Sequence, residues 1–277
     1  GGHLVIMPKS GPAGDPAYLA IHSTAPLWDL TVSRIDGTAF ARMSTALAVL
    51  NDLNLTSGAL NANNLDLAVG GSFNIQAGTD YTPGTNTTTM NGTGPQILTV
   101  NTASALSLNN LTIDKPAGAP LTLSGSQGML NVLGAFRLAA GTLNDGGKTV
   151  NVTGNIFNSG IAAGSGRIVL GGSSAQTIDG GGTFNNLELA NTAATPVSLL
   201  NRMTVTGMLN FAVNGNLNIG THNLHLAATA SVTNTGSARF IQASGNAGDG
   251  GLSRSYTTID PFVFPVGVAG RYTPATI

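Results

Sequence analysis

Cysteine is absent from this 277-residue chain, which excludes a disulfide framework, thiolate metal centres and a cysteine nucleophile. Charge is scarce as well: charged residues make up 8% of the chain and the net charge is −1. No strong field of one sign is available to gather nucleic acid or anionic lipid, so no nucleic-acid partner is expected. No apolar run approaches the roughly 18 residues that cross a bilayer as a helix, so no membrane span is expected. The opening residues Gly1 to Ile6 lack the basic, apolar and cleavage regions of a signal peptide. Helical periodicity is missing between residues 44 and 242. What is present is 42% hydrophobic residues, the reverse of a disordered composition, so the chain should fold on packing and hydrogen bonds alone.

The hydrophobic residues form a repeat. Leu47-Ala48-Val49, Leu53-Asn54-Leu55 and Leu60-Asn61 return as Leu130-Asn131-Val132, Phe136-Arg137-Leu138 and Leu143-Asn144, all three at an identical offset. They return again as Met203-Thr204-Val205, Leu209-Asn210-Phe211 and Leu217-Asn218, at a shorter offset that only the third phrase exceeds, by a single position. Self-similarity at a long fixed period is the signature of a repeat architecture, whose core grows by addition.

Within the repeat, apolar residues alternate: Leu65-Asp66-Leu67, Phe73-Asn74-Ile75, Leu121-Thr122-Leu123, Leu187-Glu188-Leu189. Period two predicts half-buried strands. The runs are short, and turns such as Asn63-Asn64, Asn144-Asp145-Gly146-Gly147 and Gly180-Gly181-Gly182 separate them, supplying residues that accept positive φ. A propeller blade would repeat every roughly 40 to 50 residues, and aromatics at 5% are too few for the wide core of a sandwich. A narrow core of Leu, Val, Ile and Ala suits a parallel β-helix. At roughly 25 residues per coil, each long repeat holds about three coils and the chain about 11. Asparagine is dense from residue 51 to 246 and absent outside that range. Its position after inward leucines, as in Leu60-Asn61, Leu143-Asn144 and Leu217-Asn218, is consistent with plain turn chemistry, the simpler account, or with amide ladders between coils.

A second phrase also recurs. Gly92-Thr93-Gly94-Pro95-Gln96-Ile97-Leu98 stands beside Gly172-Ser173-Ser174-Ala175-Gln176-Thr177-Ile178, and Asn109-Asn110-Leu111-Thr112-Ile113 beside Asn185-Asn186-Leu187-Glu188-Leu189. With the segment Phe262-Val263-Phe264-Pro265-Val266-Gly267 and the later Tyr272-Thr273-Pro274, this set resembles the repeats of very large secreted surface proteins of Bacteroidetes-type bacteria. The resemblance covers roughly residues 27 to 277. It implies an adhesin-like protein at the cell surface or released from it, exported by the type IX system. The chain shows no separate sorting domain of the kind that usually ends such proteins, and it reads as an internal piece of a longer one.

Residues with chemistry are few. A polysaccharide lyase or glycosidase on a β-helix needs carboxylates, or a cluster of Asp, Lys and Arg, converging on one face. The candidates inside the repeats are Asp66, Asp114, Asp145, Asp179 and Glu188, the last being the only glutamate and best read as a solvated outward residue. Asp145, Asp179 and Asp249 each precede two glycines, but one carboxylate per turn is a poor calcium site, and the closely spaced calcium-roll pattern is absent. His222 and His225, if they share a strand, point to opposite faces, and with His3 and His22 far off in sequence they form no metal triad. Gly164-Ser165-Gly166 reads as a turn, not a nucleophile elbow. The threonine run Thr85-Asn86-Thr87-Thr88-Thr89 does not return at coil spacing, so no ice-binding ladder is expected. Tyr18, Trp28, Tyr81, Tyr256 and Tyr272 are too scattered for a sugar-stacking platform.

The reading is an all-β, right-handed parallel β-helix or β-solenoid, since parallel crossovers are right-handed in nearly all cases. Residues 1–26, with their proline turns, form a preceding coil or linker, 27–250 the solenoid, and 251–277 a cap or the start of a next domain. The expected role is a structural and adhesive spacer of an extracellular bacterial surface protein, not an enzyme, with no catalytic or metal residues and no cofactor. Its expected partners are neighbouring domains of the same longer chain, with surface glycans or other cells beyond them. The alternative is a polysaccharide-binding or polysaccharide-degrading β-helix.

Overall fold

In a computed structural model, residues 2–7, 9, 18–34, 39–246, 248–258 and 261–277 are described. The proline turns expected at Pro8, at Ser10 to Pro12 and at Gly14 to Pro16 lie outside them. The described residues contain strands, turns and no helix. They wind as a β-solenoid whose strands, apart from one terminal antiparallel pair, fall into three sheets. The first sheet runs unbroken through twelve strands, from His3–Ile6 and Asp29–Ser33 to Leu224–Leu226 and Leu252–Arg254. The second begins at Leu47–Val49, continues through Leu67–Val69 and Thr87–Met90, and reaches Val266–Val268 and Arg271–Tyr272. The third comes in two parts. Tyr18–Ile21, Phe40–Met43, the end of Leu53–Asn61 and Thr79–Thr82 make one. Leu106–Leu108 to Ser231–Thr233 make the other.

Pairing along the solenoid is parallel: Leu30 stands beside Leu53, Leu53 beside Phe73 and Phe73 beside Leu98. Twelve strands in the first sheet give eleven steps, as the sequence predicts, and at about 4.8 Å each the stack is on the order of 50 Å long. Coil length is less uniform than a single average value suggests. In the first sheet Leu143 stands beside Ala162, closing a short coil, whereas Leu226 stands beside Arg254, closing a much longer one. Leu53–Asn61 serves two sheets by turning its corner at Gly58, whose φ is +81°. A Cβ there would sit 2.7 Å from that of Arg34, so only glycine fits.

The long sequence repeat does not respect the sheets. Its phrase begins on the second sheet at Leu47, on the third at Leu130 and on the first at Met203. Eleven strand segments separate successive recurrences while each coil uses three, so one repeat spans three and two-thirds coils rather than about three. Every recurrence is therefore rotated onto another side of the rod.

The interior is one continuous cluster of Leu, Val, Ile, Phe, Met and Ala. In the first sheet Leu121, Leu143, Ala162, Phe184, Val205 and Leu226 stack in one inward column, all fully or almost fully buried. The small Ala162 stands beside the large Phe184, the size alternation that packs a narrow core. At the far end the pairing turns antiparallel. Val266–Val268 meets Arg271–Tyr272, and Val263–Phe264 meets Ala275–Thr276. Tyr272 lies 5.5 Å from Phe240, and the Phe262 and Phe264 rings meet edge to face.

Asparagine plays both anticipated parts. The oxygens of Asn61, Asn144 and Asn218 accept the N–H two residues on, from Asn63, Gly146 and Gly220 at 2.7 to 3.1 Å, which is turn chemistry. Amides ladder elsewhere, from Asn74 to Asn54 at 2.9 Å and from Asn151 to Asn131 at 3.3 Å. The described non-glycine residues with positive φ are Asn63, Asn64 and Asn234.

Candidate functional site

The five carboxylates singled out from the sequence are spread over the rod. Asp66, Asp114 and Asp179 lie on the second sheet, but on different rungs: at the start of Leu67–Val69 and at the ends of Asn110–Asp114 and Thr177–Asp179. Asp66 accepts the Thr87 N–H at 2.8 Å, and Asp179 accepts that of its neighbour Gly180. Asp145 occupies a corner, and Glu188 faces outward on the third sheet. Glu188 is shielded rather than freely solvated: Arg167 Nε lies 3.4 Å away, and Asn210 Nδ2 donates to it at 2.9 Å. Among the described residues no three His, Asp or Glu side chains gather.

The histidines His222 and His225 do not share a strand. His222 lies in a turn, donating its N–H to the Ile219 carbonyl, and only His225 is in the strand. His225 reaches Ser253 at 3.0 Å and Ser255 at 3.1 Å. His3 pairs with Asp29 at the opposite end. Of the aromatics, Tyr81 is not outward. It is buried against Phe73, with its hydroxyl 3.2 Å from Thr88 and accepting from Asn86 at 2.9 Å. Burial pushes the Tyr81 phenol up, partly offset by those two bonds. Thr88 points inward, which splits the threonine run between the two sides of its strand. Tyr18 and Trp28 are exposed in the first coils, whereas Tyr256 and the half-buried Tyr272 lie in the last.

The recurring Gly-x-x-x-Gln phrase is a buried clip. Gln96 and Gln176 each accept the N–H of the glycine four residues earlier, Gly92 at 2.9 Å and Gly172 at 3.0 Å. Each Nε2 donates to two carbonyls of the preceding coil, Val69 and Gly71 for Gln96, and Val152 and Gly154 for Gln176. The clip oxygen also accepts from Asn191 in one case and from Lys115 in the other, both at 2.6 Å. Lys115 is 1% exposed and donates as well to the carbonyls of Gly92 and Gly94. Burial pulls its ammonium down to about 8. Lys148 and Arg254 hold carbonyls in the same way, Gly125 with Gln127 and Ala228 with Ala230. Sequence reasoning missed these cations, because each is joined to its carbonyls only by the winding of a coil.

A hollow lies at the break in the third sheet. Thr79–Thr82 pairs only with the coil before it, and Leu106–Leu108 only with the coil after it. Between them opens a cleft of about 470 Å³, lined by Thr79 to Gly84, Thr102 to Ser107 and Leu133. The coil from Phe73 to Leu98 is longer than the one before it, from Leu53 to Phe73, and in the loop that follows it Ala103 and Ser104 are exposed. Beneath it the apolar core encloses a polar trio, Tyr81, Thr88 and Asn86, bonded together, with Asn86 Oδ1 without a partner among the described residues.

No family model matches the chain, and no curated protein or solved structure matches it either.

Proposed function

We propose that the chain is a stiff structural and adhesive spacer in a large extracellular bacterial surface protein, holding binding modules away from the cell and performing no catalysis. The observation that carries this reading is continuity: the first sheet stacks through twelve strands over one unbroken apolar core. Backbone pairing between coils then carries load along the rod without any disulfide. Outward positions are mostly short and polar, as in the column Ser107, Asn131, Asn151, which suits a solvated shaft. The carboxylates that a polysaccharide-cleaving site would need stand on separate rungs and corners, which weighs against the degrading alternative. The bacterial-surface assignment rests on the recurring phrases.

The test has two arms. Protease shaving of intact cells that make the full-length protein should release fragments containing this chain. The purified chain should scatter X-rays as a rod and should release no reducing ends or unsaturated sugars from a panel of plant and bacterial polysaccharides. Sugar release that is lost on replacing one of the five carboxylates by its amide would overturn the spacer reading.

A further inference from the structure

The break in the third sheet leaves hydrogen-bonding groups facing each other across the cleft. Thr82 accepts the Ala62 N–H through its carbonyl, so the peptide groups of Thr82 face the coil before. Strand alternation then turns the N–H and C=O of Tyr81 toward the cleft. On the other lip the Leu108 carbonyl accepts the Leu133 N–H, which turns the peptide groups of Ser107 back toward the same space. Side chains extend the set. Thr82, Ser104 and Ser107 line the cleft, as does Asp80, which is exposed and in no ion pair among the described residues. Leu106, Leu133 and Pro83 add an apolar patch.

The lining decides what fits. It holds no Lys, Arg or His, so nothing there would balance an anion, and its single carboxylate is a poor metal site. An inserted peptide strand would need two strand spacings, about 9.6 Å, between the lips. The neighbouring sheets forbid that by pairing the same two coils directly, Phe73–Ile75 with Leu98 to Val100 and Thr87–Met90 with Asn110 to Ile113. What remains is a neutral ligand that both donates and accepts and also offers an apolar face. At about 470 Å³ the space is in the range of small-molecule sites, roughly 300 to 1,000 Å³. We propose that the cleft between Thr79–Thr82 and Leu106–Leu108 binds a short neutral saccharide, with Asp80 and the free peptide groups of Tyr81 and Ser107 taking its hydroxyls.

The test is a titration of the ¹⁵N-labelled chain with neutral trisaccharides of glucose, xylose and mannose, with a trimer of uronic acid and a neutral extended tetrapeptide as comparisons. A neutral trisaccharide should shift the amides of Tyr81, Thr82 and Ser107. Asp80→Asn, close in shape to the native residue, should weaken that binding roughly tenfold or more, the loss of one hydrogen bond to a charged group. Ser104→Leu, on the exposed loop, should weaken it by filling the mouth. The proposal fails if no neutral trisaccharide moves those amides at millimolar concentration, if the uronic trimer or the tetrapeptide moves them instead, or if Asp80→Asn binds as the native chain does. The spacer reading survives each of those failures, because it rests on the stack and not on the cleft.

Discussion

Single residues carry the polar strain of this rod. Lys115 is an ammonium buried without a counter-charge among the described residues, held by three oxygens and pulled by burial from 10.5 to about 8. Because its folded value is depressed, the unfolded chain binds the proton more tightly between those two values, and stability rises with pH in that window. The urea midpoint of the native chain should climb from pH 8 to pH 9.5, and Lys115→Met should lose the climb while being less stable throughout; a parallel climb in both would refute the assignment. Above pH 10 the raised Tyr81 phenol acts in the opposite sense, so the window stops short of it. Asp145 is the mirror case. Burial pushes its carboxyl up, against the Gly166 and Gly147 N–H groups that it accepts. With the folded value raised, the native state holds the proton more tightly, and stability falls as pH rises through that value. Asp145→Asn keeps an acceptor oxygen and drops the charge, so it should raise the urea midpoint at pH 7 and leave it nearly unchanged at pH 3.

At the scale of strands and corners, coils are fastened by close backbone approach and by clips. Gly92 shows both. Its N–H binds Gln96, its carbonyl takes Lys115, and a Cβ on it would fall 1.8 Å from the Gly70 carbonyl. Gly92→Ala should therefore cost about 1–3 kcal/mol through forced shifts, read as a lower urea midpoint with unchanged slope. Gln176→Leu should cost a similar amount, about 1–3 kcal/mol for buried carbonyls left without a donor. The strands themselves were legible: Phe73-Asn74-Ile75 and Leu187-Glu188-Leu189 alternate and lie buried, half-buried, buried as written. The clip was legible only as a recurrence, since the carbonyls it holds belong to the preceding coil, a full winding away in sequence. His222 and His225 could not be assigned to one strand or two without the turn that separates them.

For the whole molecule, the first and second sheets are continuous and the third is broken, so protection should be uneven around the rod. In native-state hydrogen exchange, the amides of Tyr81 and Ser107 at the break should exchange faster than those of Ile75 and Met90, which lie on the intact sheets of Tyr81's own coil. Equal protection would mean that the break closes in solution. Alternation, glycine and asparagine turns and the shortage of aromatics are local properties, and by themselves they determined short strands, a narrow core and a stacked solenoid of about eleven coils. Which side of the rod each strand occupies is a sum of corner angles over many coils, and eleven strand segments per repeat do not divide by three. Only the tertiary structure could therefore decide that the repeat rotates, that the third sheet opens between Thr82 and Leu106, and that Tyr81 and Lys115 are buried.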